Sequence, residues 1–323
     1  MSGAAAGPAP QLAAALRAAA AALAEAGVAS PEHDAVALAA HLLDVSYGEV
    51  RRRAVLGAAV PPGFAELVAQ RVRRVPLQHL TGRAPFRRLE LAVGPGVFVP
   101  RPETEVLVTA VLAELTTLSG PAGPAGPAGL AGPSGPSGPS GPREQRASGA
   151  DPMVVDLCTG SGAIAVAIAV EHPTSRVWAV ELSPEAAAYA RANIAAHAPR
   201  VRLIVGDGAA PHPELASVEG CVDVVTCNPP YIPDGMVPLD QEVRDHDPEL
   251  ALYGRSADGL AVPLAMAARA AELLRPGGLL AMEHADAQGE SLPAALAAAG
   301  DWVEIQDIAD LAGRPRVSVA RRA

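Results

Sequence analysis

The sequence predicts a doubly wound α/β fold preceded by a small helical bundle. Three observations carry that prediction. From Met153 onward, short apolar, β-branched runs alternate with stretches of helical periodicity, the pattern of a mainly parallel sheet covered by helices on both faces. Residues 11–78 hold helical patterns only. A Gly-rich loop, Cys158-Thr159-Gly160-Ser161-Gly162, joins the first strand of the alternating part to its first helix, as in folds that bind a ligand at strand ends.

The chain has 323 residues, enough for a large core and two domains. Half of them are hydrophobic but only 3% are aromatic, so the core has to be built from Ala, Leu and Val. A net charge of −10 leaves no basic footprint for free nucleic acid and favours a protein or small-molecule substrate. All 25 cations are Arg. Cys158, Cys221 and Cys227 form no CxxC pair, so neither a metal site nor a disulfide framework is expected. Such cysteine usage fits a reducing, cytoplasmic setting. No basic, apolar leader pattern and no uninterrupted apolar run of about 18 residues occurs, so no signal peptide and no membrane contact is expected. Nothing demands more than a monomer.

In order, residues 1–10 are Gly/Pro/Ala-rich and read as a flexible terminus. A helix runs from Gln11 to about Ala26, where Gly27 stops it. Ser30-Pro31-Glu32 caps and starts a second helix, to about Leu43. A third starts near Tyr47 and a fourth spans Pro62 to Val75. Pro76 to Gly82 reads as loop. Residues 79–105 form a connector whose strands, Phe86–Val93 and Val97–Val99, flank a turn at Gly94-Pro95-Gly96. Pro102 opens a helix that leads through residues 106–119. Glu103 and Glu105 then sit in its first turn, where the helix dipole favours acids; as a functional alternative, this loop lies over a cofactor pocket. Residues 120–150 are a Gly/Pro-rich insertion, collagen-like over 120–142, expected to be disordered and dispensable for chemistry.

Beyond it, strands are expected at Met153–Leu157, Arg176–Glu181, Val201–Val205, Val222–Cys227 and Gly278–Glu283, with weaker ones at Val303–Asp307 and Arg316–Ala320. Helices are expected at Gly162–Val170, Pro184–Ala196, Leu260–Leu274 and Gly289–Ala299.

Chemistry gathers at the strand ends. Asp156 precedes a loop whose spacing, Thr159-Gly160-Ser161-Gly162, is neither GxGxxG nor a P-loop, and the chain has no Lys for the latter. An acid there suits a cationic amino group such as that of S-adenosylmethionine. Glu181 ends the second strand and suits two ribose hydroxyls. Asp207 follows the third and suits an adenine amino group. A lone acid at such a place is more often a solvated strand end; three in succession point to a nucleoside. Asn228-Pro229-Pro230-Tyr231 follows the fourth strand. The prolines stiffen the loop and leave its carbonyls free. Asn228 Oδ1 and the Pro229 carbonyl can each accept one hydrogen of a planar NH2, with Tyr231 stacked on its plane. Asn-Pro and Pro-Pro are also ordinary turn dipeptides, and only the upstream acids tip the balance.

Together these residues resemble the class I S-adenosylmethionine-dependent methyltransferases that act on amino or amide groups. Pro76-x-Gln78-x-x-Thr81-Gly82, Phe98-x-Pro100-Arg101-Pro102-Glu103-Thr104-Glu105 and Asp310-Leu311-Ala312-Gly313-Arg314-Pro315-Arg316 narrow the likeness to the peptide chain release factor glutamine methyltransferases. The resemblance covers nearly everything outside residues 1–10 and 119–150. It departs at His79, where Tyr is usual, at Glu181 for Asp, at His284-Ala285 where Gly is common, and in the insertion.

The resemblance implies a Rossmann-like seven-stranded sheet over residues 151–323, with residues 11–78 docking the substrate. It implies S-adenosylmethionine as donor, S-adenosylhomocysteine as product, and as acceptor the Gln amide of the Gly-Gly-Gln loop of class 1 release factors. Cofactor contacts are expected from Asp156, Thr159, Gly160, Ser161, Gly162, Glu181, Asp207 and Asn228. Acceptor contacts are expected from Asn228, Pro229, Pro230, Tyr231, Arg101 and Glu103, with Asn228, Pro229 and Tyr231 catalytic. Competing readings are adenine-N6 methylation, glutamine methylation of another translation protein, and a noncatalytic S-adenosylmethionine-binding factor. A flavin or haem enzyme lacks a motif here.

Overall fold

The computed structural model describes residues 11–119 and 151–323; the expected flexible terminus 1–10 and the insertion 120–150 lie outside them. Contacts divide the chain into two units, both discontinuous in sequence. Among the described residues, the first holds 11–84, 93–95 and 237–247, and the second 85–92, 96–119, 151–236 and 248–323. Residues 237–247, which the sequence places in the C-terminal domain, therefore group with the N-terminal helices.

In the first unit, α1 (Leu12–Glu25), α2 (Pro31–Leu43), α3 (Tyr47–Val55) and α4 (Phe64–Val72) bury Leu12, Leu23, Leu38, Val50 and Phe64 in one core. Ser46 caps α3 by accepting from Glu49 N at 3.3 Å. The stretch expected as loop is a short helix, α5 (Leu77–Thr81), closed by Gly82 at φ +72°. Its Thr81 hydroxyl donates to the Leu77 carbonyl, a local bond that composition does not announce.

The connector hairpin differs in register from its expectation. β1 (Arg83–Phe86) pairs with β2 (Leu89–Ala92), and the turn falls at Arg87-Arg88 rather than at Gly94-Pro95-Gly96. Arg87 takes φ +53°, and partners hold it there: its backbone N–H donates to Glu105 and its guanidinium to Glu171 and Thr109. These are contacts distant in sequence, invisible to turn chemistry.

The second unit is a seven-stranded sheet. After α6 (Glu105–Ser119), entered through a 3₁₀ turn at Pro102–Thr104, come β3 (Met153–Leu157), α7 (Ala163–Glu171), β4 (Arg176–Glu181), α8 (Pro184–His197), β5 (Arg202–Val205) and β6 (Val222–Cys227). There follow α9 (Gln241–His246, within the first unit), α10 (Ala261–Leu273), β7 (Leu274–Glu283), α11 (Ser291–Ala299), β8 (Trp302–Ala309) and β9 (Pro315–Arg322). The strand order is β5-β4-β3-β6-β7-β9-β8. The first five are parallel, and β9 pairs antiparallel with both neighbours. The order reverses between β3 and β6, which places the ligand crevice of a doubly wound sheet at their C-terminal ends. Period-2 alternation feeds both faces: Val177 and Ala179 pack with α6 and α7, Trp178 and Val180 with residues of α10 and α11.

Candidate active site

The strand ends carry the expected acids, each in a different setting. Asp156 is fully buried. Its Oδ2 accepts from the Thr159 hydroxyl and its Oδ1 from the Thr226 hydroxyl, its register neighbour on β6, at 2.7 Å. Burial pushes its carboxyl up to about 7, against the pull of those hydroxyls. A direct grip on a cationic amino group was the expectation. The geometry instead spends both oxygens on closing the Gly-rich loop and pinning it to β6.

Glu181 holds the same loop from the other side. Its Oε2 accepts from Gly160 N at 2.7 Å and its Oε1 from Ser183 N at 2.8 Å. Burial raises its carboxyl above the usual range while the backbone donors lower it. Thr159 and Ser161 are buried. Gly162 caps α7 at φ +84°, with the Ala190 backbone only 3.5 Å from where a Cβ would stand. Asn193, fully enclosed on α8, donates to the Ser161 carbonyl and the Ala92 carbonyl and accepts from Ala92 N, tying the loop to the hairpin. Asp207 is exposed after β5, with Oδ1 accepting from Ala209 N at 2.9 Å.

The Asn228 to Tyr231 loop leaves β6 one step beyond the Cys227–Met282 pair, which brings Asn228 beside Glu283 at the end of β7. Asn228 Nδ2 donates to the Thr104 hydroxyl at 3.4 Å. Glu283 is 2% exposed, and the Thr104 and Asn228 side chains stand beside it. Burial pushes its carboxyl up to about 7, with Arg316 nearby lowering it and Glu103 raising it. Tyr231 is pushed up by burial and by Glu283. The Tyr231 carbonyl accepts from Gln288 Nε2 at 3.0 Å, and Ile232 is stitched to Leu252 and Gly254 by backbone bonds.

The Pro100–Glu105 loop does reach this corner, through Thr104. Glu103 itself is exposed, and the Arg101 guanidinium lies over the Phe98 ring at 5.1 Å. Sequence reasoning passed over Thr104, Thr226, Gln288 and Glu283. For Glu283 the signal was present: an acid closing an apolar strand, as at Glu181.

A family model described as the PrmC N-terminal domain matches residues 14–82, and one described as a methyltransferase domain matches residues 154–240. The release factor glutamine methyltransferase of Streptomyces coelicolor is 43% identical over 305 residues, 93% of this chain and 94% of that protein. The protein of the same description from Bifidobacterium longum is 41% identical over 86% of this chain and 88% of its own length. The chain belongs to the release factor glutamine methyltransferase family. As a member it is an S-adenosylmethionine-dependent protein-glutamine N-methyltransferase. The family's neighbourhood also includes an amine-modifying enzyme: the 4-amino-L-phenylalanine/4-methylamino-L-phenylalanine methyltransferase of Streptomyces pristinaespiralis is 38% identical over 91% of this chain and 90% of that one.

The residues present fit S-adenosylmethionine. A Cβ placed on Gly160, at φ +57°, would meet no atom within 4 Å, so bare backbone faces open space at the loop. Glu181 and Asp207 keep acceptor capacity beside it. Among the described residues no helix is long and apolar enough to cross a membrane, and no cluster of three His, Cys, Asp or Glu could hold a metal.

Proposed function

We propose that this chain methylates the side-chain amide nitrogen of the Gln in the Gly-Gly-Gln motif of class 1 release factors, acting as a monomer on free factor rather than on nucleic acid. One observation carries the reading most: Asn228-Pro229-Pro230-Tyr231 stands at the C-terminal end of β6, one strand from the Gly-rich loop, with half-buried Asn228 donating to the Thr104 hydroxyl.

The cofactor, when bound, supplies an electrophilic methyl on a positively charged sulfur. Glu181 is suited to its ribose, Asp207 to its adenine amino group, and the loop from Thr159 to Gly162 to its remainder, with Asp156 bracing that loop. An amide nitrogen is a poor nucleophile because its lone pair is delocalised into the carbonyl. Asn228 Oδ1 and the Pro229 carbonyl accept the two N–H hydrogens, hold the NH2 in one orientation and favour density on nitrogen. The nitrogen gains the methyl and gives up one proton to solvent. Tyr231 walls the acceptor, and Arg101 and Glu103 line its approach. Such catalysis rests on orientation and fixed dipoles, which supply on the order of 7–11 kcal/mol in favourable cases.

The test is methyl transfer from labelled S-adenosylmethionine to an unmethylated release factor, to its Gln→Ala variant in the Gly-Gly-Gln motif, to 4-amino-L-phenylalanine and to a DNA oligonucleotide. Label on the wild-type factor alone supports the proposal. Label on the arylamine moves the acceptor to the chemistry of the Streptomyces pristinaespiralis relative, and label on DNA moves it to adenine. Within the proposal, Asn228→Ala lowers kcat by roughly 10²–10³ while cofactor binding survives, the scale of losing one fixed dipole at the reacting group. Calorimetry and single-turnover kinetics check the two halves.

A further inference from the structure

We propose that Gln288 is a positioning residue for the acceptor loop: by holding the Tyr231 carbonyl it sets where the Pro229 carbonyl and the Tyr231 ring stand. The inference rests on the reading of the Asn228 to Tyr231 loop given above and adds to it a residue outside the loop.

Asn228-Pro229-Pro230-Tyr231 is hard to fasten by its own backbone. Pro229 and Pro230 carry no N–H, so the loop offers its neighbours mostly carbonyls. Whatever holds it has to donate. Gln288 Nε2 does so, giving one hydrogen to the Tyr231 carbonyl at 3.0 Å and the other to the Asp258 carbonyl at 2.8 Å. Gln288 Oε1 accepts from Ala285 N at 3.0 Å. A turned amide would set Oε1 against two carbonyls and the NH2 against an N–H, so only one orientation fits. One side chain thus joins three segments: the acceptor loop, the turn before α10 and the stretch after β7.

Gln288 is itself held in place. It is 5% exposed, and its own N–H donates to the Ala285 carbonyl at 2.8 Å, so the two residues exchange a pair of bonds across the 3₁₀ turn Asp286–Gln288. The next residue, Gly289, is seated on the start of β9, where a Cβ would stand 2.4 Å from Pro315 Cβ. On the opposite side Gly259 leaves room for the amide: a Cβ there would come within 3.0 Å of Gln288 Nε2. The N–H of Ile232 donates to the Leu252 carbonyl at 2.8 Å. The carbonyl and the N–H of the one peptide that joins Tyr231 to Ile232 are therefore both taken, which fixes its plane. Two proline φ angles are also fixed, so few soft torsions separate that plane from the Pro229 carbonyl. Removing the Gln288 donor frees the plane and leaves Asn228 and the Gly-rich loop with their own bonds.

The test compares Gln288→Met, of similar size and without a donor, with Gln288→Glu, which keeps an acceptor for Ala285 N and has no hydrogen to give while ionised. Expected for Gln288→Met is a kcat lower by roughly 10- to 100-fold, the scale of a small misplacement of a reacting group. Cofactor Kd should stay within about 3-fold, as an orientation effect in the reacting complex requires. Gln288→Glu reads the donor within one protein. Burial beside two carbonyls raises its carboxyl, so it takes up a proton as pH falls and regains one hydrogen to donate. The ratio of its kcat to wild type should therefore rise roughly 3- to 10-fold from about pH 9 to about pH 6, the worth of one regained hydrogen bond, while the Gln288→Met ratio stays flat. Titrations that all three proteins share cancel in these ratios. Wild-type kcat in Gln288→Met overturns the inference, as does a flat ratio for Gln288→Glu, or loss of cofactor binding in either.

A second measurement does not depend on the acceptor. The four tyrosines are followed by Gly48, Ala190, Ile232 and Gly254, so Tyr231-Ile232 is the one Tyr-Ile step in the chain. Tyrosine labelled with ¹³C at its carbonyl, together with ¹⁵N-isoleucine, then yields a single cross-peak that reports the Tyr231 carbonyl. That carbonyl should move upfield in Gln288→Met, where its hydrogen bond is gone, and return toward its wild-type position in Gln288→Glu at low pH. The same position in wild type and Gln288→Met sinks the inference. If the wild-type enzyme labels no release factor, the functional proposal falls, and the carbonyl signal still decides whether Gln288 holds the loop.

Discussion

Asp156 shows how a motif residue works on this chain. Its carboxyl is enclosed by Thr159 and Thr226, and burial lifts it to about 7 from an ordinary 3.8. The folded state therefore keeps a proton that the unfolded chain releases at a lower pH. Stability from this group is fully present below about 4 and is lost as pH rises toward 7, with little further change above. Asp156→Asn removes the titration while keeping the shape. The unfolding free energy of wild type minus variant should therefore shrink between pH 4 and 7, by up to ~1.4 kcal/mol per pH unit. Denaturant melts of the cofactor-free protein at several pH values check this. A difference that stays flat across the window means that Asp156 is ionised in the fold.

Elements that announce themselves by local pattern are the ones the sequence delivered. The bounds of β3, β4 and β6 and of α2 are as expected, because each is an apolar run or a capped helix between clear breakers. The hairpin departs from its expectation because long-range partners set it: Arg87 is held in a left-handed turn by Glu105, Thr109 and Glu171, whereas α5 departs because a local bond from the Thr81 hydroxyl to the Leu77 carbonyl closes it. The candidate site was legible where chemistry stands at a strand end, at Asp156, Glu181, Asp207 and Asn228. It was illegible where two loops meet in space. Behind the acceptor loop, Gly259 at φ +74° lies so close that a Cβ would come within 2.1 Å of the Tyr231 carbonyl oxygen. Gly235, also at positive φ, would meet nothing within 4 Å. Gly235→Ala should thus cost strain alone, about 1–2 kcal/mol, with kcat unchanged. Gly259→Ala adds a backbone clash, so it should push the Tyr231 loop outward and lower kcat as well as the melting temperature. Equal kinetic effects of the two variants would mean that the contact behind Tyr231 does not hold the loop in its working position.

For the molecule as a whole, the informative feature is that the acceptor loop and the N-terminal helices are consecutive in an unexpected sense. Asn228 to Tyr231 lie in the second unit, and the chain enters the first unit at residue 237. That inserted segment is fastened by charge. Arg71, 5% exposed, donates to Asp34 at 2.7 Å and pairs with Glu242 of α9 at 2.7 Å, while Arg74 reaches Glu242 at 3.0 Å. Burying these charges is tolerable only while they stay matched, and removing one member of such a set costs ~3–5 kcal/mol. Arg71→Ala leaves Asp34 without its guanidinium and Glu242 with Arg74 alone. The first unit should lose stability on that scale, and amides of residues 237–247 should exchange faster, whereas Arg52→Ala, which removes an exposed partner of Glu49, should leave both unchanged. Hydrogen exchange resolved by segment separates the outcomes. Faster exchange confined to α1–α4 would mean that α9 is held by packing rather than by Arg71. Faster exchange across 237–247 with intact cofactor binding and slower methyl transfer would show that the segment after the acceptor loop governs turnover through its anchorage to the N-terminal helices.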